Sequence, residues 1–182
     1  MATTKARLLF RTALATGLVA VSVCAVAFTG IRHPRTDPLG DPDAYYVLAS
    51  RGGSDALENL ADWSDPNKPL MVSVTETRMK MPIYQDLCAV TDRPIICVEP
   101  PLPSTQGEAR NLGRLAHKHG WRSVAVISHR SHLTRARILM KRCFDGEVRM
   151  VARNVEHGPR TWGRALVYES VALVKTLATP RC

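Results

Sequence analysis

No Cys-x-x-Cys pair and no His/Cys cluster with metal-ligand spacing occurs in the 182-residue chain, so a zinc site is not expected and no metal is assigned. Aromatic residues make up only 5% of the chain, few for the stacking platforms on which single-stranded nucleic acid lies, so nucleic acid is not the expected partner. No internal repeat or low-complexity tract is present, and no Gly-x-Ser-x-Gly elbow exists to expose a nucleophilic serine. Five cysteines are too few for a small disulfide scaffold. With 45% hydrophobic and 23% charged residues the chain is too apolar for disorder and too charged for a polytopic membrane protein. A globular domain with a net charge of +9 is expected.

Charge is also missing locally. Between Thr12 and Ile31 lie 20 residues without one charged side chain, preceded by Lys5, Arg7 and Arg11. At about 1.5 Å per residue such a run spans roughly 30 Å of hydrocarbon. The flanking cations favour a cytoplasmic amino terminus, which places the rest of the chain outside the plasma membrane. A cleaved signal peptide is the rival reading, because Ala25-Val26-Ala27 has the small-x-small pattern of a cleavage site. The apolar run exceeds the roughly 7–15 residues of a signal-peptide core, which favours an uncleaved single-pass anchor over residues 1–31.

Beyond the anchor stand Cys88, Cys97, Cys143 and Cys182, an even number in a compartment where disulfides persist. Three pairings exist. The expected one joins Cys88 to Cys97 across the short polar turn Thr91-Asp92-Arg93-Pro94, and Cys143 to the terminal Cys182. Four buried thiols are the alternative if the domain is cytoplasmic.

Residues 32–43 hold three prolines and no apolar periodicity, the pattern of an extended linker. The outer domain then runs over 44–182. Short apolar runs at 45–49, 70–74, 95–98, 124–128 and 148–151 read as buried strands. Helical patterns at 54–63, 106–119, 132–143 and 161–177 fill most gaps, Gly120 serves as a stop, and 79–89 fits neither pattern. Strands separated by helices imply an α/β fold, a Rossmann-like open and mostly parallel sheet with flanking helices, preceded by the transmembrane helix.

In such a sheet the ligand lies beyond the carboxyl ends of the strands. The residues found there are polar: Arg51-Gly52-Gly53, Thr75-Glu76, Glu99 with Ser104-Thr105, and Ser128-His129-Arg130-Ser131-His132. Gly52 and Gly53 would let backbone N–H groups approach an anion. Thr105 and Glu108 fit a capping box, and the same hydroxyl could instead help to hold a ligand. His129 or His132 could serve as acid or base, while His132 and Arg135, three residues apart on a helix, suit a phosphate or carboxylate. Glu169 falls on the apolar stripe of the last helix with Trp162, Leu166 and Leu173, and so needs a cation from among Arg130, Arg135 and Arg137. Residues 32–103 carry 7 basic and 11 acidic groups, whereas 104–164 carry 13 basic and 4 acidic ones, so an anionic partner suits the second half. A solvated basic face is the alternative.

These residues resemble the YdcF/SanA/ElyC-like domain family of bacterial envelopes. The resemblance lies in Gly52-Gly53 after a strand, Glu99 near the end of a later one, Ser104-Thr105 with Glu108-Ala109, the Ser-x-x-x-His-x-x-Arg-Ala segment of Ser128, His132, Arg135 and Ala136, and Trp162 and Glu169 in the last helix. It covers about residues 44–169. The second strand departs from it, running into Ser73-Val74-Thr75-Glu76 where a glycine turn is usual. The anchor and the four cysteines resemble an actinobacterial, membrane-anchored branch.

The resemblance implies a role in envelope upkeep, linked to peptidoglycan or polyprenyl-phosphate metabolism. On it rests the expectation of a membrane-anchored protein that binds or processes a phosphorylated or otherwise anionic envelope intermediate. Gly52, Gly53, Thr105, Glu108 and Arg135 would bind it, and His132, Glu99 and Ser128 would carry any catalysis as a hydrolase or transferase on phosphoryl or glycosyl groups. No cofactor is expected. S-adenosylmethionine, suggested for one branch, is disfavoured by the extracytoplasmic topology. The alternative is a non-catalytic interaction protein whose basic face, including Arg110, Arg114 and Lys118, docks on anionic lipid or a protein.

Overall fold

A computed structural model describes residues 11, 14, 16–18, 25, 28–49, 57, 63–153, 159–179, 181 and 182. The Gly52-Gly53 turn and most of the helix expected at 54–63 lie outside the described residues. So does most of the apolar run 12–31; among the described residues no helix is long and apolar enough to cross a membrane.

Five strands form one all-parallel sheet: β1 (Ala44–Val47), β2 (Leu70–Ser73), β3 (Ile95–Val98), β4 (Ser123–His129) and β5 (Glu147–Arg153). Their order is β3-β2-β1-β4-β5. Among the helices are α1 (Glu76–Met79), α2 (Pro82–Ala89), α3 (Thr105–His119), α4 (Leu133–Cys143) and α5 (Pro159–Ala178). The fold is thus α/β with a parallel sheet between helices, as the alternation of patterns implies. Residues 79–89, ambiguous in sequence, divide because Pro82 cannot extend α1 but is well suited to open α2.

The period of two along each strand builds two cores. Tyr46, Met71, Val124, Val126, Val148 and Met150 face α3 and α4, meeting Leu112, Leu115, Leu139 and Met140. Tyr45, Val47, Leu70, Val72, Ala125 and Ile127 face the other way, toward Tyr84 of α2 and toward Leu57 and Trp63. Strands covered on both faces read as continuous apolar runs, and each fully buried large side chain contributes about 1.5–3 kcal/mol. α5 lies outside this sandwich, packed on α4 and on the 3-10 turn Arg130–His132.

The 32–43 segment, expected to be an extended linker, packs on the domain. It has no helix or strand beyond its first residue, yet it is bound to the domain. Asp37 donates its N–H to the Met150 carbonyl (2.9 Å), and its carboxylate accepts from Met150 N (2.8 Å) and Arg137 Nη1 (2.7 Å). Asp43 accepts from the N–H groups of Arg122 (2.7 Å) and Ser123 (2.9 Å) at the start of β4. Prolines remove backbone donors but leave the aspartates between them free to take up those of the sheet edge.

Both expected disulfides are formed. Cys88–Cys97 ties α2 to β3 (Cα–Cα 5.9 Å), and Cys143–Cys182 ties the end of α4 to the tail (Cα–Cα 5.0 Å). Arg110 Nη2 also donates to the Cys182 carbonyl (2.9 Å).

Gly120 ends α3 in the left-handed region (φ 70°), where its lack of a Cβ removes the strain. Gly113 answers a different need: a Cβ there would overlap the Cys143 carbonyl, so α3 and α4 cross backbone to backbone. Gly113→Ala is expected to lower stability by about 1–3 kcal/mol, the cost of overpacking exceeding the gain in helix propensity. Gly163→Ala on α5, where a Cβ meets nothing within 4 Å, should raise it by about 0.5–1 kcal/mol. Urea unfolding of both variants checks this, and equal signs would contradict it.

Candidate functional site

The strand order reverses between β1 and β4, and at the carboxyl ends of these strands lies a cavity of about 380 Å³. Ala49 follows β1, Thr75 follows β2, Pro100 and Pro103 follow β3, and His129 ends β4. Ser104, Thr105 and Glu108 enter from the start of α3, His132 and Arg135 from the start of α4, and Ala165, Tyr168 and Glu169 from α5.

His132 organises this space. Its ring is buried, with Nδ1 2.9 Å from Ser128 Oγ and Nε2 3.0 Å from Thr105 Oγ1. Ser128 reaches it because it shares the strand face of Val124 and Val126, beneath α3 and α4. Burial, with Arg135 and His129 nearby, holds His132 well below the usual imidazole range, so the ring is neutral at pH 7. A neutral imidazole has one donor and one acceptor, so one hydroxyl accepts from the ring and the other donates to it. The His129 ring lies 5.4 Å away, with Nδ1 3.0 Å from Ser131 Oγ.

Arg135 closes the group. Its Nη1 donates to Thr105 Oγ1 at 3.0 Å, while Nε and Nη2 donate to the two Glu169 oxygens at 2.7 and 3.1 Å. This bidentate pair supplies the cation that Glu169 requires: Arg135, not Arg130 or Arg137. The latter is committed to Asp37. The Tyr168 ring centroid lies 6.0 Å from the Arg135 guanidinium, within reach of a cation–π contact.

The capping-box reading of Thr105 and Glu108 is corrected. Ser104 is the N-cap, with its Oγ accepting from Gly107 N (3.2 Å). Thr105 is therefore the first helical residue, and its hydroxyl turns to His132 and Arg135. Glu108 sits a residue too far along to reach back to the cap, and its Oε1 accepts from Ala49 N (2.6 Å) instead. Burial pushes the Glu108 carboxyl above the usual range, against the pull of that N–H and of Arg135 and Arg78. Glu108 thereby fastens α3 to the residue pair that follows β1.

Thr105, Glu108, His132 and Arg135 thus converge on one cavity, and Ser128 stands behind His132. Glu99 does not join them. It is exposed and absent from the cavity lining, while its carbonyl accepts from Asn111 Nδ2 (3.1 Å). Gly52 and Gly53 lie outside the described residues. Tyr168 escaped sequence reading because one aromatic on a helix carries no spacing signal. Among the described residues no group of three or more His, Cys, Asp or Glu is placed to hold a metal ion. The chain matches no protein-family model and no curated protein.

Proposed function

We propose that this is a single-pass envelope protein of the YdcF/SanA/ElyC-like kind, whose α/β domain binds and processes a phosphorylated, anionic envelope intermediate as a hydrolase or transferase. The observation that carries this reading is the hydrogen-bonded line Ser128–His132–Thr105, closed by Arg135, in a cavity at the switch point of the sheet. A neutral imidazole between two hydroxyls suits proton transfer. Arg135 and the positive end of the 15-residue α3 suit negative charge that develops beside it. The uncharged run 12–31 supports the anchor, and two disulfides suit an oxidising compartment. S-adenosylmethionine stays disfavoured on the same topological ground.

Thermal unfolding of the full chain in detergent tests the reading, against polyprenyl phosphates, nucleotide sugars, muropeptides and S-adenosylmethionine. A phosphorylated compound at about 100 times its Kd should stabilise the wild type by roughly 2.7 kcal/mol. His132→Ala should retain that binding while losing turnover of the compound. Stabilisation by none of the phosphorylated compounds would sink the reading.

A second reading has its own observation. α5 leaves Val167, Val171, Val174 and Leu177 between 59% and 68% exposed, with Arg160, Arg164 and Lys175 on the same outer side. An apolar row edged by cations suits an anionic bilayer surface. It shifts lipid docking from Arg110, whose guanidinium is used by the tail, to α5. Salt-sensitive binding to phosphatidylglycerol vesicles that Val171→Glu abolishes would support docking, and binding unchanged by that substitution would refute it.

A further inference from the structure

Two hydroxyls contact the His132 ring, and they are not equivalent. Ser128 lies behind the ring at Nδ1, on the sheet side, and does not line the cavity. Thr105 is at Nε2, lines the cavity and receives the Arg135 guanidinium. A hydroxyl activated for attack needs a base within hydrogen-bond reach, a third group to orient that base, and open space for a substrate. For the Thr105 hydroxyl the base is His132, the orienting group is Ser128, and the open space is the cavity that Thr105 lines.

The carboxylates of the cavity narrow the chemistry. Glu108 is bound to Ala49 N and Glu169 is held by two nitrogens of Arg135, so neither is a free partner in a two-carboxylate glycosidase arrangement. What surrounds Thr105 is suited to phosphorus: a guanidinium on its oxygen and the start of a long helix. Ser104 Oγ and the Ser104 carbonyl take the Gly107 and Glu108 N–H groups, and the Thr105 and Gln106 N–H groups have no acceptor within the helix.

We propose that Thr105 Oγ1 is the nucleophile of this site and takes a phosphoryl group from a phosphate ester. The inference rests on the hydrolase or transferase reading of the same cavity. Oγ1 keeps one lone pair on the Arg135 N–H and directs the other at phosphorus, while its proton points to His132 Nε2. As the Thr105 O–P bond forms and the ester O–P bond breaks, the proton passes to Nε2. The resulting imidazolium, with Nδ1–H on Ser128 Oγ, returns it to the departing alkoxide. In the second half water attacks the phosphothreonine, gives one proton to Nε2 and releases phosphate, and the Thr105 oxygen recovers that proton. Ser128 is a positioning residue, in contrast to the catalytic role expected of it from sequence.

A fluorophosphonate probe tests the nucleophile without knowledge of the natural substrate. Attack by Oγ1 forms a Thr105 O–P bond, expels fluoride and sends the hydroxyl proton to His132. Peptide mass spectrometry of the labelled full-length wild type should place the phosphonyl group on Thr105. Thr105→Ser should retain it and Thr105→Val should lose it, with each variant's fold checked by circular dichroism. His132→Gln should slow labelling roughly 10²-fold, the scale of general-base assistance. Absence of label on Thr105 of folded wild type, or a Thr105 rate indifferent to His132→Gln, would overturn the proposal. Failure here beside a positive ligand shift would leave the binding reading intact; labelling without any shift would remove the expected ligand class and keep the nucleophile.

Discussion

Arg135→Ala is expected to destabilise the protein by about 3–5 kcal/mol, a large part of the total stability of a domain this size. The Arg135 and Glu169 side chains are only 12% and 5% exposed, and the substitution leaves the Glu169 carboxylate buried without its two donors. Arg135→Lys should recover little, because a point charge cannot reproduce a fork that spans both Glu169 oxygens and Thr105. The double substitution Arg135→Met with Glu169→Leu removes both charges and fills their space, and should restore stability to within about 1–2 kcal/mol of wild type. Ligand-induced stabilisation should be lost in the double variant, since no guanidinium then faces an anion in the cavity. Urea unfolding of the two singles and the double closes the cycle. Additive losses would mean that the two side chains act independently, against the geometry described here.

The same pair shows what the sequence can disclose. Glu169 was conspicuous because it interrupts an apolar stripe, and a buried carboxylate requires a cation. Thr105 and Glu108 carry the same signal, preceding Ala109, Leu112, Leu115 and Ala116 on one face of α3. His132 and Arg135 repeat it before Ala136, Leu139 and Met140 on α4. In each helix the stripe turns polar in its first turn, where it passes the end of the sheet and meets the cavity. The sheet itself was legible because strands buried on both faces need continuous apolar runs. Sequence spacing does not show which of two adjacent hydroxyl residues caps a helix, and the Ser104 and Thr105 roles were decided by tertiary partners 27 and 30 residues away. Glu99 shows the converse: a carboxylate just after a strand need not turn toward the switch point.

His132 should make the protein sensitive to acid in a range where most carboxylates are still ionised. An unfolded imidazole takes up a proton near pH 6.5, whereas burial in the native state holds the ring well below that value. Between the two values the unfolded state binds more protons, so stability rises with pH and is lost on acidification below about 6.5. The slope is about 1.4 kcal/mol per pH unit for the one proton. Glu108 acts in the opposite sense. Its native carboxyl is raised above 4.5, so between 4.5 and that raised value the native state holds the extra proton and acidification stabilises it. Asp37 and Asp43, both lowered, give stability that is lost only as pH falls below about 3.8. His132→Gln should therefore flatten the stability profile just below pH 6.5 by one proton's slope, and Glu108→Gln should steepen it at lower pH. Urea midpoints measured at half-unit steps from pH 7.5 to 4.5 test both. If His132→Gln kept the wild-type slope, the native ring would titrate as it does in the unfolded chain, against the burial described here.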